Sequence, residues 1–263
     1  MRSFIACVVG SLMMLFPAYA EEVLVDVASP RGVSQKFLLI KPDTPVAAVV
    51  LFAGGKGTLK LSKGLFGGVS IAWGKKNFLV RTRDKFAAHD LMVALVDAPS
   101  DYLDKKGMLG GFRSSDDHVE DIDAVIAKLR EIADVPVWLV GTSRGTESVA
   151  TIAIASQQKP EGLVLTSSMT ASDTKGDSVL DKALSEIRIP TLITHHEEDG
   201  CAKTRPEGVA LIRDGLINAP AVELKMFSGG AEQSNPCKGM SKHGYLGIED
   251  LVVDAIVAFI KAN

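Results

Sequence analysis

Twelve residues, Pro136-Val137-Trp138-Leu139-Val140-Gly141-Thr142-Ser143-Arg144-Gly145-Thr146-Glu147, constrain this chain more than any other stretch. They open as a short apolar run and end in a helix-compatible segment, with G-x-S-x-G between. A strand that turns sharply into a helix around a serine holds that serine at a strained backbone angle. It also brings the residues two before and two after into close approach, which glycine at both places permits. Such a turn lifts the hydroxyl above the sheet edge and leaves the next backbone N–H facing the same space. Ser143 is therefore the candidate nucleophile; the alternative is an inert serine in a glycine-rich βα turn.

The first 20 residues read as a signal peptide rather than as part of the fold. Arg2 supplies a positive start, residues 4–16 are almost wholly apolar, and Ala18-Tyr19-Ala20 forms an A-x-A cleavage site. The run is short for a membrane span, so no stable membrane anchor is expected after cleavage. The remaining residues, 21–263, are expected to form a single α/β domain, since no linker-like stretch divides them. The net charge of −3 becomes −4 once Arg2 is lost, leaving 28 Lys and Arg against 32 Asp and Glu. That balance gives no electrostatic reason to expect nucleic acid as a partner. Of three cysteines, Cys7 goes with the signal. Cys201 and Cys237 remain, and two cysteines in an exported chain suggest one disulfide. Closing a loop of about 35 residues is worth on the order of 3–4 kcal/mol in the chain-entropy model.

Along the chain, residues 22–27 and 34–40 read as two edge strands. Residues 47–52, 91–96, 135–140, 162–166 and 190–194 read as buried strands, and 221–227 as the last strand. Residues 116–132 form an amphipathic helix with Val119, Ile122, Val125, Ile126, Leu129 and Ile132 on one side; Ser114 or Ser115 caps it. His118 falls in its first turn and reads as a surface residue. Further helices are expected at 146–156, 205–216 and 248–260, and one at 179–187. Alternating strands and helices predict a mostly parallel central sheet with helices on both faces. Residues 55–90, rich in glycine and basic side chains, are long for a βα connection and are expected to shape the mouth of a site.

A serine hydroxyl needs a base, and the base needs a partner that fixes its tautomer. Downstream, the strand at 190–194 runs into His195-His196-Glu197-Glu198-Asp199-Gly200-Cys201. The loop after the strand at 221–227 reaches Ser241-Lys242-His243-Gly244-Tyr245. Glu197, Glu198 and Asp199 all stand close enough to the strand end to serve. His195 and His196 point to opposite faces if the strand continues through them. There is no H-E-x-x-H and no cysteine pair at zinc spacing, so neither a metal nor a cofactor is expected.

The order serine, acid, histidine, with G-x-S-x-G on a strand-to-helix turn, resembles the α/β-hydrolase family, here a lidless chain of dienelactone-hydrolase-like size. The resemblance runs from the strand at Ala47 to the terminal helix. It implies Ser143 as nucleophile, Asp199 as acid and His243 as base. It also implies an oxyanion hole from the N–H groups of Gly55, in Ala53-Gly54-Gly55, and Arg144, with Lys56 as a substitute donor. Ala53 departs from the histidine often found there.

The interval 167–188, where this family often inserts a lid, is short and polar, so an open site and a small-molecule ester substrate are expected. Lys56, Lys60, Lys63, Arg81, Arg83 and Lys85, joined by Arg113 and Arg144, form either a solvated basic face or a mouth that selects anions. Lys56 and Arg144 are the candidates for substrate binding. The resulting expectation is an exported serine esterase, periplasmic or secreted. The rivals are a peptidase or amidase with the same three residues, and a binding protein on the same fold.

Overall fold

The computed structural model describes residues 21–65 and 67–263. The expected signal peptide lies outside the described residues. The chain begins with an antiparallel pair, β1 (Glu22–Ala28) and β2 (Ser34–Ile40). β3 (Ala47–Phe52) follows, then a small antiparallel hairpin of β4 (Leu61–Lys63) and β5 (Val69–Ile71), and helix α1 (Phe78–Ala87). Next come β6 (Leu91–Val96), α2 (Asp116–Ile132), β7 (Val137–Thr142), α3 (Gly145–Ala155) and β8 (Gly162–Thr166). The chain closes with β9 (Thr191–His196), α4 (Val209–Gly215), β10 (Val222–Phe227) and α5 (Glu249–Ala262).

Eight strands form one sheet in the order β1-β2-β6-β3-β7-β8-β9-β10. All pairings from β6 to β10 are parallel, and β2 joins β6 antiparallel. β2 is therefore interior, contrary to its reading as an edge; Phe37, Leu38 and Ile40 are buried. In β3 every residue is buried, and alternate side chains feed opposite cores. Ala48, Val50 and Phe52 pack with α2, α3 and α4, whereas Ala47, Val49 and Leu51 pack with α1 and α5. This double coverage is why these strands are continuous apolar runs rather than alternating ones.

Two expected elements come out differently. The segment 179–187 is not one helix but two single turns, Val179–Asp181 and Leu184–Glu186, the first closed by a capping box between Ser178 and Asp181. Within 55–90 lies α1, capped by Asn77, whose side chain accepts from the Leu79 N–H at 3.1 Å. Its buried Phe78-Leu79-Val80 run is followed by five polar or charged positions, Arg81 to Lys85, which hide the helical period.

Helix α2 has the expected apolar side, and Ser115 rather than Ser114 caps it by accepting from the His118 N–H at 3.2 Å. His118 is not on the surface. It is 1% exposed and packs against Phe52 and Phe112, and neither ring nitrogen has a hydrogen-bond partner among the described residues. Burial, with Arg113 and Arg31 nearby, pushes its pKa down to about 3. Buried His195 is shifted down as well. A depressed folded-state value means that the unfolded chain takes up protons first, so stability is lost as pH falls below the unfolded value of about 6.5. Urea unfolding at a series of pH values should show the loss growing by about 1 kcal/mol per unit between pH 6.5 and 4.5. His118→Leu should flatten a large part of that slope; an unchanged slope would contradict the assignment.

Candidate active site

The chain leaves β3 toward β6 on one side and reaches β7 on the other. The carboxyl ends of β3 and β7 therefore flank a topological switch point, where open α/β sheets place their crevice. Ser143 follows β7 there with φ of +53°. A non-glycine residue in this left-handed region costs on the order of 1–3 kcal/mol and persists only when its surroundings hold it. The Ser143 N–H donates to the Thr166 carbonyl at 3.0 Å, and the Ser143 carbonyl accepts from the Thr146 N–H at 2.8 Å. Both flanking glycines are sterically required. A Cβ on Gly141 would stand 2.5 Å from the Gly145 carbonyl oxygen, and one on Gly145 would overlap the Phe52 carbonyl. On the β3 side, a Cβ on Gly54 would lie 2.9 Å from that of Ser143.

His243 and Ser143 line one small cavity of ≈ 50 Å³ together with Gly54 and Gly55. The histidine reaches it from a single turn, Lys242–Gly244, after β10. Tyr245, fully buried with φ of +57°, pins that turn to the sheet: its hydroxyl donates to the Thr194 carbonyl at 2.9 Å and accepts from the Ser167 N–H at 3.2 Å. Burial raises the Tyr245 hydroxyl to about 12, so it stays a donor. Ser167 Oγ donates to the His243 carbonyl at 2.8 Å. Gly244 makes a close approach to the neighbouring turn, since a Cβ there would overlap the Gly239 carbonyl.

Among the three acids after β9, Asp199 is the one at the histidine. His243 Nδ1 lies 2.8 Å from Asp199 Oδ2. Glu197 and Glu198 are exposed, and Glu198 pairs with Lys242 at 2.7 Å. Burial alone would raise the Asp199 carboxyl, but the His243 hydrogen bond and charge and the Cys201 N–H outweigh it and hold the group below the usual carboxylate range. Nothing in the sequence marks Thr204, yet its hydroxyl donates to Asp199 Oδ2 at 2.9 Å and lies 3.1 Å from His243 Nδ1. With its proton on Asp199, Thr204 can only accept from the ring, so both neighbours of Nδ1 are acceptors. The proton of a neutral His243 therefore sits on Nδ1, leaving Nε2 free to take one.

His195 and His196 do point apart. His195 Nε2 donates to the Thr204 carbonyl at 2.8 Å and lies 3.5 Å from Asp199 Oδ2. His196 Nε2 donates to the Gly229 carbonyl at 2.8 Å. Cys201 and Cys237 form a disulfide, which fastens the turn after Asp199 to the loop before His243. Among the described residues no cluster of metal-ligating side chains occurs, and no helix is long and apolar enough to cross a membrane.

The basic residues divide sharply. The Arg144 guanidinium is buried against Asp173 at 2.5 Å and lies 3.9 Å from Glu147, so it does not line the cavity at Ser143. Arg113 is not at the mouth either. It is buried beneath the loop after β3, donating to Ser148 Oγ at 2.7 Å and to the carbonyls of Ala53 at 2.9 Å and Gly55 at 3.3 Å. Burial, with Arg144 nearby, lowers it to about 10, partly offset by Glu147. Arg81, Arg83 and Lys85 are paired with Glu249, Glu22 and Asp250. Lys56 stands in a groove adjoining Gly54.

No protein-family model matches the chain, and no curated protein matches it in sequence. Solved structures do match it in shape. An esterase of Pyrococcus furiosus superposes with a TM-score of 0.65 at 12% identity, covering 92% of this chain and 93% of its own. A serine hydrolase without a lid from Xanthomonas campestris gives 0.57 at 16% identity, covering 92% and 97%. An acylaminoacyl peptidase of Pyrococcus horikoshii gives 0.62 at 14% identity, covering 93% of this chain but 42% of its own. With its mostly parallel eight-stranded sheet between two helical layers, the chain has the α/β-hydrolase fold.

Proposed function

We propose that this protein is an exported serine hydrolase that cleaves carboxylic esters, with residues 21–263 forming a single catalytic domain. The observation that carries the reading is the hydrogen-bonded pair of His243 Nδ1 and Asp199 Oδ2 at 2.8 Å beside a strained Ser143 in one cavity. His243 Nε2 takes the Ser143 proton as Oγ attacks the acyl carbon, then returns it to the leaving alcohol. Asp199 holds the ring and stabilises its cation, with Thr204 as a second acceptor for the Nδ1 proton. The N–H groups of Gly55 and Arg144 receive the oxyanion, helped by the positive end of α3. Water then attacks the acyl-enzyme and releases the acid through the same steps. The 167–188 interval carries two single turns and no inserted domain, which supports an open site. The Cys201–Cys237 bond and the A-x-A site support export to an oxidising compartment.

Steady-state hydrolysis of 4-nitrophenyl acetate against 4-nitroacetanilide tests the ester assignment. The same chromogenic ring leaves in both, as phenolate or as aniline. The ester should be preferred by at least about 10³-fold in kcat/KM, a difference of about 4 kcal/mol in barrier. Comparable turnover of the anilide would favour the amidase reading instead.

A further inference from the structure

We infer that the substrate of this site is an anion: an ester whose portion beyond the scissile bond carries a carboxylate or a comparable negative group, held by lysines in two grooves that meet beside Ser143. The inference rests on the esterase reading and names its substrate class. Both grooves adjoin the serine cavity at Gly54 and Asn77. The larger, ≈ 650 Å³, carries Lys75, Lys76 and Lys238; the smaller, ≈ 360 Å³, carries Lys56 and Lys105. No aspartate or glutamate lines either one.

These lysines are gathered by the fold. They come from segments far apart in sequence that the backbone fastens together. A Cβ on Gly239 would overlap the Lys76 carbonyl, so the turn after Lys238 rests directly on the turn bearing Lys75 and Lys76. On the other side the Lys56 carbonyl accepts from the Met108 N–H at 2.9 Å, and a Cβ on Gly107 would lie 2.7 Å from the same oxygen. Several lysines elsewhere are compensated, among them Lys85 by Asp250, Lys182 by Asp177 and Lys242 by Glu198. Among the described residues none of the five groove lysines is in an ion pair. The acid nearest in sequence to Lys105 is Asp104, whose Oδ1 instead accepts from the N–H groups of Lys106 at 2.8 Å and Gly107 at 2.9 Å. A sixth cation, Lys60, has its Nζ 4.3 Å from the centre of the Trp73 ring, and Trp73 lines the smaller groove. Five uncompensated positive charges around one opening, in a chain of net charge −3, concentrate field at that opening. Such a field raises the encounter rate of an anion and resists a cation.

Three acetate esters of one phenol frame test this: 4-acetoxybenzoate (anionic), 4-acetoxybenzamide (neutral) and 4-acetoxyphenyltrimethylammonium (cationic). Each enzymatic kcat/KM is divided by the ester's own hydroxide rate. The anion should exceed the cation by about 10-fold or more at low ionic strength, with the ratio collapsing as salt is added. In the Lys75→Gln/Lys76→Gln/Lys238→Gln variant the ratio should fall toward one, whereas Lys261→Gln on α5 should retain it. Equal normalised rates for the three esters, or a ratio that survives the triple substitution, would overturn the inference while leaving the esterase reading standing. Failure of all three esters together with an unreactive Ser143 would remove the esterase reading itself. Titration with 4-hydroxybenzoate followed by amide NMR shifts is independent of turnover: shifts at residues 74–77 and 237–239 support the anion grooves, and their absence overturns them.

Discussion

Ser143→Ala and His243→Ala should each reduce kcat for a short ester by about 10⁵- to 10⁶-fold, and the double variant should be no worse than either single one. The reason is that in the proposed mechanism nucleophile and base act as one unit. Without the hydroxyl there is nothing for His243 to deprotonate; without the ring, Ser143 retains an ordinary alcohol proton at neutral pH. The activity left should be that of the oxyanion donors and of binding, which neither substitution touches. Neither change should cost the fold. Ser143 is held through its N–H to the Thr166 carbonyl and through its own carbonyl to the Thr146 N–H, contacts that alanine keeps, although it keeps the φ of +53° as well. The His243 turn is held through its carbonyl and through Tyr245. Far-UV circular dichroism and thermal unfolding check that expectation alongside the kinetics. Fully additive losses in the double variant would show that the two residues do not cooperate.

Asp199→Asn should lower kcat by about 10⁴-fold, whereas Glu198→Gln should change it by less than about twofold. Both substitutions remove one negative charge within two positions of each other, so net charge cannot explain a difference. The Asp199 carboxylate, with the Thr204 hydroxyl, keeps the His243 proton on Nδ1. An asparagine can turn its NH₂ toward the ring and stabilise the opposite tautomer, placing the proton on Nε2, where the base is needed. It also withdraws the negative charge that stabilises the imidazolium. The sign with pH follows from the direction of the Asp199 shift. A carboxyl held below its ordinary value stays ionised in the folded state through mildly acidic conditions, so its loss of charge should affect activity only below about pH 4. Equal losses for Asp199→Asn and Glu198→Gln would mean that the acid is shared or wrongly assigned.

Much of this arrangement is legible in the sequence because it is written in short-range terms. The apolar runs at 47–52 and 91–96 are long enough to be buried on both faces, and they are β3 and β6. Gly141 and Gly145 flank Ser143 for the steric reason their spacing implies, with the Phe52 carbonyl as the closest obstacle. Cys201 and Cys237 pair. What escapes the sequence depends on partners distant along the chain. Thr204 comes to His243 only because the turn after Asp199 folds back on itself. α1 is obscured because Arg81, Arg83 and Lys85 interrupt its apolar pattern, and their acids lie at opposite ends of the chain, in Glu249, Glu22 and Asp250. For the same reason a count of basic residues in the early loops mixes two kinds, since Lys56 lines a groove beside the cavity whereas others are held in structural contacts. Arg81, Arg83, Lys85, Arg113 and Arg144 are all engaged in structural contacts, whereas Lys75, Lys76, Lys105 and Lys238, from three separate loops, line the two grooves that adjoin the serine cavity. His118 misleads in a similar way. A histidine in a first helical turn reads as solvated, but Phe52 from β3 and Phe112 enclose it.

Treatment of the mature protein with a fluorophosphonate, followed by mapping of the adduct by mass spectrometry, tests the activated serine most directly. The reagent reacts with a serine hydroxyl only where a base and an oxyanion site are assembled around it. The mechanism proposed here predicts stoichiometric labelling confined to Ser143, abolished in Ser143→Ala and strongly slowed in His243→Ala. A folded, disulfide-bonded sample that takes up no label, or takes it up at another residue, would contradict it.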